Sequence, residues 1–320
     1  MTTSRIAAVD IGTNSVLLLV AERRGHELVA LTERATITRL GQGVDATRAL
    51  APEAVERTLA CLARYGEEIR ALGAERVDAV GTSAMRDAAG GDAFVAEARA
   101  LLGVAPRVIS GEEEAALTFA GALTGLALPP APRVVFDIGG GSTEIIVGTA
   151  AGAVERAISL DIGSVRLTER HVRSDPPTSA ELDAVRADAR AALAGVPPPP
   201  AGEGGARPLL VGVAGTVTTL AALIRDVAPY DPARIHGASL TRPEVAAAVA
   251  RLAALPLAER RQLRALEPAR ADVIVAGSLL VDEILAWAGA PDRQPANELL
   301  VSDRGVRWGL AQQLSSEQAP

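Results

Sequence analysis

"VVFDIGGGSTEIIVG", residues 134–148, joins two apolar runs through a turn of three glycines with an acid on either side. Asp137 lies near the end of the first run, and Glu144 follows the hydroxyls of Ser142 and Thr143 at the start of the second. Short apolar runs bounded by glycine are typical of buried β-strands. The stretch therefore predicts a tight hairpin whose turn presents carboxylates, hydroxyls and bare backbone.

The same pattern occurs earlier in the chain, as "VDIGTNSVLLLV" at residues 9–20. Asp10 aligns with Asp137 and Ser15 with Ser142, at a constant offset of 127 residues. Such an offset is far too long for a solenoid repeat and suits a duplicated domain. We therefore expect an α/β protein with two related halves, and a ligand bound in the cleft where they meet.

The domain boundary is predicted from a proline-rich segment. The chain of 320 residues is long enough for two domains, and strands alternate with helices in the pattern of each half. "LALPPAPR" at 126–133 is interpreted as a hinge, because proline cannot continue a helix. The predicted domains are residues 1–125 and 126–320.

Composition excludes several classes of partner and site. The net charge of −7 argues against broad nucleic-acid binding. All 32 basic residues are arginine, so no P-loop lysine exists and basic contacts to phosphate must come from guanidinium groups. The one cysteine, Cys61, excludes an internal disulfide, and no run of eighteen uncharged apolar residues occurs. A cytoplasmic protein without a membrane span is predicted.

The two turns have the chemistry of a phosphate site with a metal ion. Glycines let successive backbone N–H groups approach an anion, and nearby hydroxyls add donors. Candidate phosphate ligands are Gly139, Gly140, Gly141, Thr13, Ser15, Ser142 and Thr143. Carboxylates alone would repel phosphate, so Asp10, Asp137 and Glu144 make sense through a divalent cation, for which Mg²⁺ is the expected ion. One such turn could be only a hairpin, but two matched turns favour phosphate binding.

"ISGEEEAALTF" at 109–119 supplies a candidate for orienting water. Ser110 and Glu113 have the spacing of a capping box, which makes Glu113 a structural residue. Glu114 points about 100° further round the helix and is free for another role. An acidic helix start that only complements the helix dipole remains the alternative.

Two further segments are candidates for binding anions. In "GVAGTVTTLAAL" at 212–223, a strand passes through glycine into a helix, so Gly215 and Thr216 form either an anion site or a packing turn. Arg86 follows the carboxyl end of a predicted strand, the edge where α/β sheets bind ligands. We therefore add Arg86 to the predicted phosphate ligands.

Six motifs occur in the order and approximate spacing of a known family: "VDIGTNS", "GTSAMRDA", "ISGEEEA", "FDIGGGSTE", "GVAGT" and "SDRG". Over residues 6–310 or so, the chain resembles the exopolyphosphatase/guanosine pentaphosphatase (Ppx/GppA) family. The resemblance implies the actin-like (ASKHA) fold of two ribonuclease-H-like domains, with the final helix from about residue 304 packing back on the first. It also implies hydrolysis of terminal phosphoanhydrides with Mg²⁺, or Mn²⁺ in its place.

The resemblance assigns roles to individual residues. Glu114, the second glutamate of "EEA", is expected to activate water. Asp137 and Glu144 are expected at the metal, with Asp10 reaching it through water. Phosphate ligands carried over in this way are Asn14, Gly139, Ser142 and Arg86.

The chain departs from the family pattern at two positions. Leu17 stands where a basic residue is common, and Ala116 where arginine often follows "EEA". The chain also resembles the short family members, which lack a C-terminal helical domain. These departures favour short polyphosphates over processive action on long chains.

The prediction is an exopolyphosphatase that hydrolyses the terminal phosphoanhydride of inorganic polyphosphate, with Glu114 activating the water. A pppGpp 5′-phosphohydrolase is the first alternative. A phosphotransferase of the same fold and a non-catalytic polyphosphate- or nucleotide-binding protein are the others. The expected partners are polyphosphate or pppGpp and a second copy of the chain, without nucleic acid or membrane.

Overall fold

The computed structural model describes residues 4–25, 27–89, 91–199, 208–289 and 298–316. The chain divides into two compact units. The first unit comprises Met1–Gly121 with Val306–Pro320, and the second comprises Ala122–Gly305. The division lies a few residues before the predicted boundary at 125/126, and the last helix belongs to the first unit.

Strands and helices are mixed along the whole of the described chain. The strands are β1 (Arg5–Ile11), β2 (Ser15–Arg24), β3 (Glu27–Ile37), β4 (Arg76–Gly81), β5 (Arg107–Val108), β6 (Arg133–Ile138), β7 (Thr143–Gly148), β8 (Val154–Leu160), β9 (Leu209–Val213), β10 (Ser239–Thr241) and β11 (Glu298–Val301). The helices are α1 (Val44–Thr47), α2 (Pro52–Ala71), α3 (Ser83–Asp87), α4 (Asp92–Leu102), α5 (Gly111–Leu123), α6 (Ser164–His171), α7 (Ser179–Ala194), α8 (Ala214–Ile224), α9 (Pro232–Ile235), α10 (Arg242–Ala254), α11 (Leu257–Arg260), α12 (Ile274–Ala288) and α13 (Val306–Ser316).

The two sheets repeat one topology. In the first unit the strand order is β3-β2-β1-β4-β5, with β1, β2 and β3 antiparallel and β4 and β5 parallel to β1. In the second unit the order β8-β7-β6-β9-β11 has the same directions, and β10 extends that sheet at its edge. The duplication predicted from the 127-residue offset is therefore present in the strand connections.

Alternate residues of β1 face opposite layers of the first unit. Ala7, Val9 and Ile11 belong to one buried cluster, which also contains Cys61 of α2. Ile6 and Ala8 belong to a second cluster, built with α5 and α13. Because β1 is covered on both faces, it is apolar throughout except for Asp10 and its first residue, as a central strand should be. Asp10 is thereby placed at the carboxyl end of a rigid strand.

Two elements of the first unit have no clear signal in the sequence. The segment 34–43 is polar, yet β3 continues to Ile37. This strand lies at the edge of its sheet and none of its residues is fully buried, so it lacks the apolar alternation of a strand. After β4 the chain forms the short helix α3, which carries Arg86.

Helix α12 is largely buried in the core of the second unit, and its two acidic residues are paired. Asp282 and Glu283 are buried, and they accept hydrogen bonds from Arg186, Arg190 and Arg242. Pairing of this kind is what permits carboxylates to be buried. Within the described ranges, no helix combines the length and the hydropathy needed to cross a membrane.

Replacing Glu283 with alanine is expected to destabilise the second unit by about 2 kcal/mol, below the ~3–5 kcal/mol typical of breaking a fully buried pair. Glu283 is 4% exposed and accepts from Arg190 Nε at 2.7 Å and Arg186 Nη1 at 2.8 Å. Arg190 is largely exposed and regains water when its partner is lost, which limits the cost. Urea unfolding measures the change. Glu259→Ala, an exposed acid of α11, is the matched control, and equal midpoints for the two variants would contradict the prediction.

Candidate active site

The two predicted turns are closed by the same hydrogen bond. Gly12 N donates to Ser15 O at 3.0 Å, and Gly139 N donates to Ser142 O at 3.0 Å. A Cβ on either glycine would lie 3.0 or 3.1 Å from that serine oxygen. The close approach explains why both turns carry glycine directly after the strand. The turns are therefore structural copies of one another.

The first turn contains a buried amide without hydrogen-bond partners. Asn14 is 6% exposed, and neither its Oδ1 nor its Nδ2 is bonded. Its backbone oxygen accepts from Thr38 N and Arg39 N, so the loop after β3 packs against the turn. Burying an amide without partners costs free energy unless a ligand or water satisfies it. This observation supports the prediction that Asn14 binds phosphate. For Thr13, which is also buried, and Ser15, phosphate binding stays a prediction.

The second turn is oriented by helix α6. Gly139 O accepts from Ser164 N at 3.0 Å, and Gly140 O accepts from Val165 N at 2.9 Å. In a trans peptide the N–H of the next residue points away from the carbonyl. The N–H groups of Gly140 and Gly141 therefore point away from α6, as a backbone anion site requires.

The contribution of α6 was not predicted from the sequence. A Cβ at Gly163 would lie 2.6 Å from Gly140 C and 2.8 Å from Gly141 N, so the glycine lets the helix start lie against the turn. The sequence did contain a signal for this contribution of α6: "DIGSV" at 161–165 repeats the Asp-Ile-Gly of both turns.

Asp137 and Glu144 form a buried cross-strand pair. They are direct partners in the antiparallel ladder of β6 and β7, so both side chains lie on one face of the sheet. They are 9% and 1% exposed. Cβ atoms in such pairs lie about 4.5–5.5 Å apart, and like charges there repel. In the first unit the same register sets Asp10 opposite Leu17, so only the second turn has paired carboxylates.

The carboxylate pair fits a bound Mg²⁺. This ion is usually held by one or two carboxylates, keeps several waters and contacts phosphate oxygens. No group of three or more histidine, cysteine or acidic side chains in the described part of the chain is placed to hold a metal. Asp10 belongs to the first unit, and its role at the metal stays a prediction.

The hydroxyl of Thr143 makes a structural hydrogen bond, and its role as a phosphate ligand stays a prediction. Its Oγ1 donates to Ile162 O at 2.6 Å, and the residue is fully buried. Thr143 and Glu144 are successive strand residues, so their side chains point to opposite faces of the sheet. The hydroxyl proton is therefore used inside the fold. The alternation of side chains along the predicted strand already indicated that Thr143 and Glu144 point to opposite faces.

The third predicted anion site lies where β9 passes into α8. Ala214 has a positive φ of 68°, a conformation that costs free energy for a residue other than glycine. A Cβ at Gly215 would lie 2.7 Å from Arg270 Nη2 and closer still to Nη1, so the guanidinium packs on bare backbone. Burial lowers the pKa of Arg270. Nothing in the sequence linked Arg270 to Gly215 and Thr216, whose phosphate roles stay predictions.

Glu114 is held by Arg86. Glu114 lies in the first turn of α5 and is 6% exposed. Arg86 Nη1 donates to Glu114 Oε2 at 2.6 Å and to Ile109 O at 3.1 Å. The guanidinium thus connects the carboxylate to the backbone just before α5. Two residues predicted for separate roles are a hydrogen-bonded ion pair.

Glu113 is half-buried, whereas its neighbour Glu114 is buried. Its N–H donates to Ser110 Oγ at 3.1 Å, which is one half of the predicted capping box. Its carboxylate accepts from Arg107 Nη1 at 2.9 Å. The helical position therefore separates a structural acid, Glu113, from a buried one, Glu114.

Burial raises the pKa of Glu114 above its ordinary value, and Arg86 partly offsets the shift. A carboxylate with a raised pKa is a stronger proton acceptor. A guanidinium carries five N–H donors, and Arg86 uses only Nη1 for Glu114 and Ile109. Its remaining donors can serve a phosphate oxygen.

The chain is similar to known phosphatases over its full length. Residues 19–314 match the model of the Ppx/GppA phosphatase family. Exopolyphosphatase 2 of Mycobacterium tuberculosis is 41% identical over 329 residues, covering 98% of this chain and 100% of that protein. A crystal structure of the Aquifex aeolicus member of the Ppx/GppA family is 33% identical, with a TM-score of 0.81 and complete coverage of both chains.

A more distant likeness concerns the fold alone. Nucleoside triphosphate hydrolases of Neospora caninum match with a TM-score of 0.52 at 12% identity, covering 98% of this chain and 92% of that one. Together with the repeated strand order, these matches confirm the predicted fold class, a duplicated α/β fold of the actin-like type.

Proposed function

The chain belongs to the Ppx/GppA phosphatase family, and from this membership we propose that it is an exopolyphosphatase. It hydrolyses the terminal phosphoanhydride of inorganic polyphosphate and releases orthophosphate. The mycobacterial relative that bears this name is similar along its whole length, which supports the substrate class. The observation that carries the mechanism is the buried carboxylate of Glu114, held by Arg86.

Glu114 takes a proton from the attacking water. The water oxygen forms a bond to the terminal phosphorus as the bond to the bridging oxygen breaks, and the shortened polyphosphate leaves with the electron pair. Hydrogen-bond donors stabilise the negative charge on the transferred group. We assign this role to the remaining Arg86 donors and the Asn14 amide, which belong to the same unit as Glu114. The N–H groups of Gly140 and Gly141 in the second unit are predicted to bind phosphate. A bound Mg²⁺, held by Asp137 and Glu144, would neutralise phosphoryl oxygens.

We propose Mg²⁺ as the working ion, with Mn²⁺ as its substitute, and short polyphosphates as the preferred substrates. Leu17 and Ala116 support the preference for short polyphosphates, because neither side chain can bind a phosphate. A cytoplasmic location agrees with the single, buried cysteine. A homodimer stays a prediction.

Phosphate release from polyphosphates of graded length, with and without Mg²⁺, tests the function. We expect release that needs the ion and is fastest on short chains. An assay on pppGpp in parallel decides the nucleotide alternative, and phosphate transfer from ATP to sugars or acetate decides the phosphotransferase alternative. Binding of polyphosphate without release at saturating Mg²⁺ would contradict the proposal.

Replacing Arg86 with glutamine is expected to move the acid limb of the kcat profile to higher pH. Burial raises the pKa of Glu114 and Arg86 lowers it, so losing the guanidinium leaves only the upward shift. A base must be deprotonated, and a higher pKa therefore delays the rise of kcat with pH. Phosphate release between pH 4 and 9 measures the limb. An Arg107→Gln variant, which removes the partner of half-buried Glu113, is the control, and an unmoved limb in Arg86→Gln would contradict the assignment.

A further inference from the structure

Helix α13 is fixed to the first unit at both ends. Near its start, Arg307 Nη2 and Trp308 Nε1 both donate to Glu33 Oε2, at 2.5 and 3.2 Å. At its end, Ser315 O accepts from Arg23 and Leu314 O accepts from Arg76. Its apolar face, with Trp308 almost fully buried, packs on the sheet. The position of α13 along the sheet is therefore fixed independently of α5.

Helix α13 touches the backbone of α5 at Gly309. A Cβ added to Gly309 would lie 2.7 Å from Leu117 C and 2.8 Å from Leu117 Cα, and closer still to the carbonyl oxygen. These are backbone atoms of a helix, so no side-chain rotation can make room. Glycine is thus required for the distance at which the two helices pack.

The contact is one helical turn from Glu114. Leu117 follows Glu114 by three residues in α5. The start of α5 is held by Arg86, through Ile109 O, and by the cap of Ser110 on Glu113 N. A force at Leu117 would therefore tilt α5 about its fixed start and carry Glu114 with it.

We propose that Gly309 is a positioning residue for Glu114: α13 sets the distance at which α5 packs beside it, and thereby the place of the catalytic carboxylate. The inference rests on the proposed function, because it takes Glu114 as the base. Nonbonded carbon atoms lie about 3.5–4.0 Å apart, so an added methyl group forces a shift of about 1 Å at Leu117. Measured from Gly111, the first residue of α5, Glu114 is about half as far along the helix as Leu117, and it therefore shifts by about 0.5 Å. Catalytic groups tolerate displacements only up to about that size.

The test compares Gly309→Ala with Gly305→Ala. A Cβ added to Gly305 would have no atom within 4 Å, and the φ of this residue is not positive, so its substitution controls for the added methyl group near the start of the same helix. For Gly309→Ala we expect kcat to fall about tenfold at unchanged KM, since a 1 Å misplacement can cost about 10²-fold. Gly305→Ala should keep the wild-type kcat. Hydrogen exchange of residues 111–123 should accelerate in Gly309→Ala alone.

A second control separates displacement from lost stability. Leu314→Ala removes packing at the far end of α13, where Arg76 and Arg23 hold the helix, and leaves Gly309 in place. It should lower Tm and keep kcat. A fall of kcat in Leu314→Ala as large as in Gly309→Ala would overturn the proposal, as would wild-type kcat and exchange in Gly309→Ala.

Glu33→Ala keeps the proposal testable if Gly309→Ala does not fold. It removes the anchor of the two residues directly before Gly309 and should lower kcat about threefold at constant KM, a smaller effect than a direct 1 Å misplacement. An unchanged kcat in Glu33→Ala would then overturn the proposal. The wild-type protein separates this inference from the proposed function: its failure to release phosphate rejects the function, while the exchange measurement still reports on the helix contact.

Discussion

Replacing Glu114 with glutamine is expected to lower kcat for phosphate release by about 10³-fold, within the range of general-base contributions. Glutamine keeps the shape of the side chain, and its Oε1 can still accept from Arg86. It cannot take a proton from water. KM should therefore stay near the wild-type value, because phosphate binding is left to other groups. Steady-state release of orthophosphate from short polyphosphate with Mg²⁺ measures both constants.

Glu113→Gln is the matched control for this prediction. Glu113 is the neighbouring residue, carries the same charge and pairs with exposed Arg107. Its substitution should leave kcat within about twofold of wild type, as expected for a surface change. If Glu114→Gln kept a tenth of the activity or more, the role of Glu114 as the base would be wrong. Equal losses in the two variants would instead assign the effect to the helix start.

Asp137→Asn and Glu144→Gln are expected to abolish the response of the protein to Mg²⁺. Each removes one carboxylate of the buried cross-strand pair. When Mg²⁺ is absent, each substitution relieves the repulsion between the two carboxylates. The melting temperature of the variant should then be about 2 °C higher than that of the wild-type protein. With Mg²⁺ the wild-type protein should gain stability through binding, while the variants should gain little. Thermal unfolding at several Mg²⁺ concentrations measures both effects.

The same two variants should lose at least about 100-fold in phosphate release, because even indirect disturbance of a metal site costs about 10–100-fold. Asp161→Asn is the control, since Asp161 is an exposed acid just beyond β8 in the same unit. It should keep both the Mg²⁺-dependent stabilisation and the activity. A wild-type melting temperature that does not change with Mg²⁺ would contradict the assignment of the pair as a metal site.

Much of the site could be predicted because it lies in short segments. The hairpin turns after Asp10 and Asp137 follow from apolar runs, an acid and glycine in adjacent positions, and the structure closes both with the same bond. The cap of Ser110 on Glu113 also follows from local spacing. The hydrogen bond from the Thr143 hydroxyl to Ile162 O could not be predicted, because Ile162 lies beyond the next strand.

The repeat, the turn chemistry and the helix start that carries Glu114 can all be predicted from the amino-acid sequence. These depend on residues close together in the chain, where backbone preferences and side-chain spacing act directly. Tertiary structure alone decided that Arg86 holds Glu114, that Arg270 packs on Gly215 and that Gly309 touches Leu117. Each of these contacts joins residues on different elements, and its existence depends on how helices pack on the sheet. Such packing is set by the summed burial of many side chains, which no short motif contains.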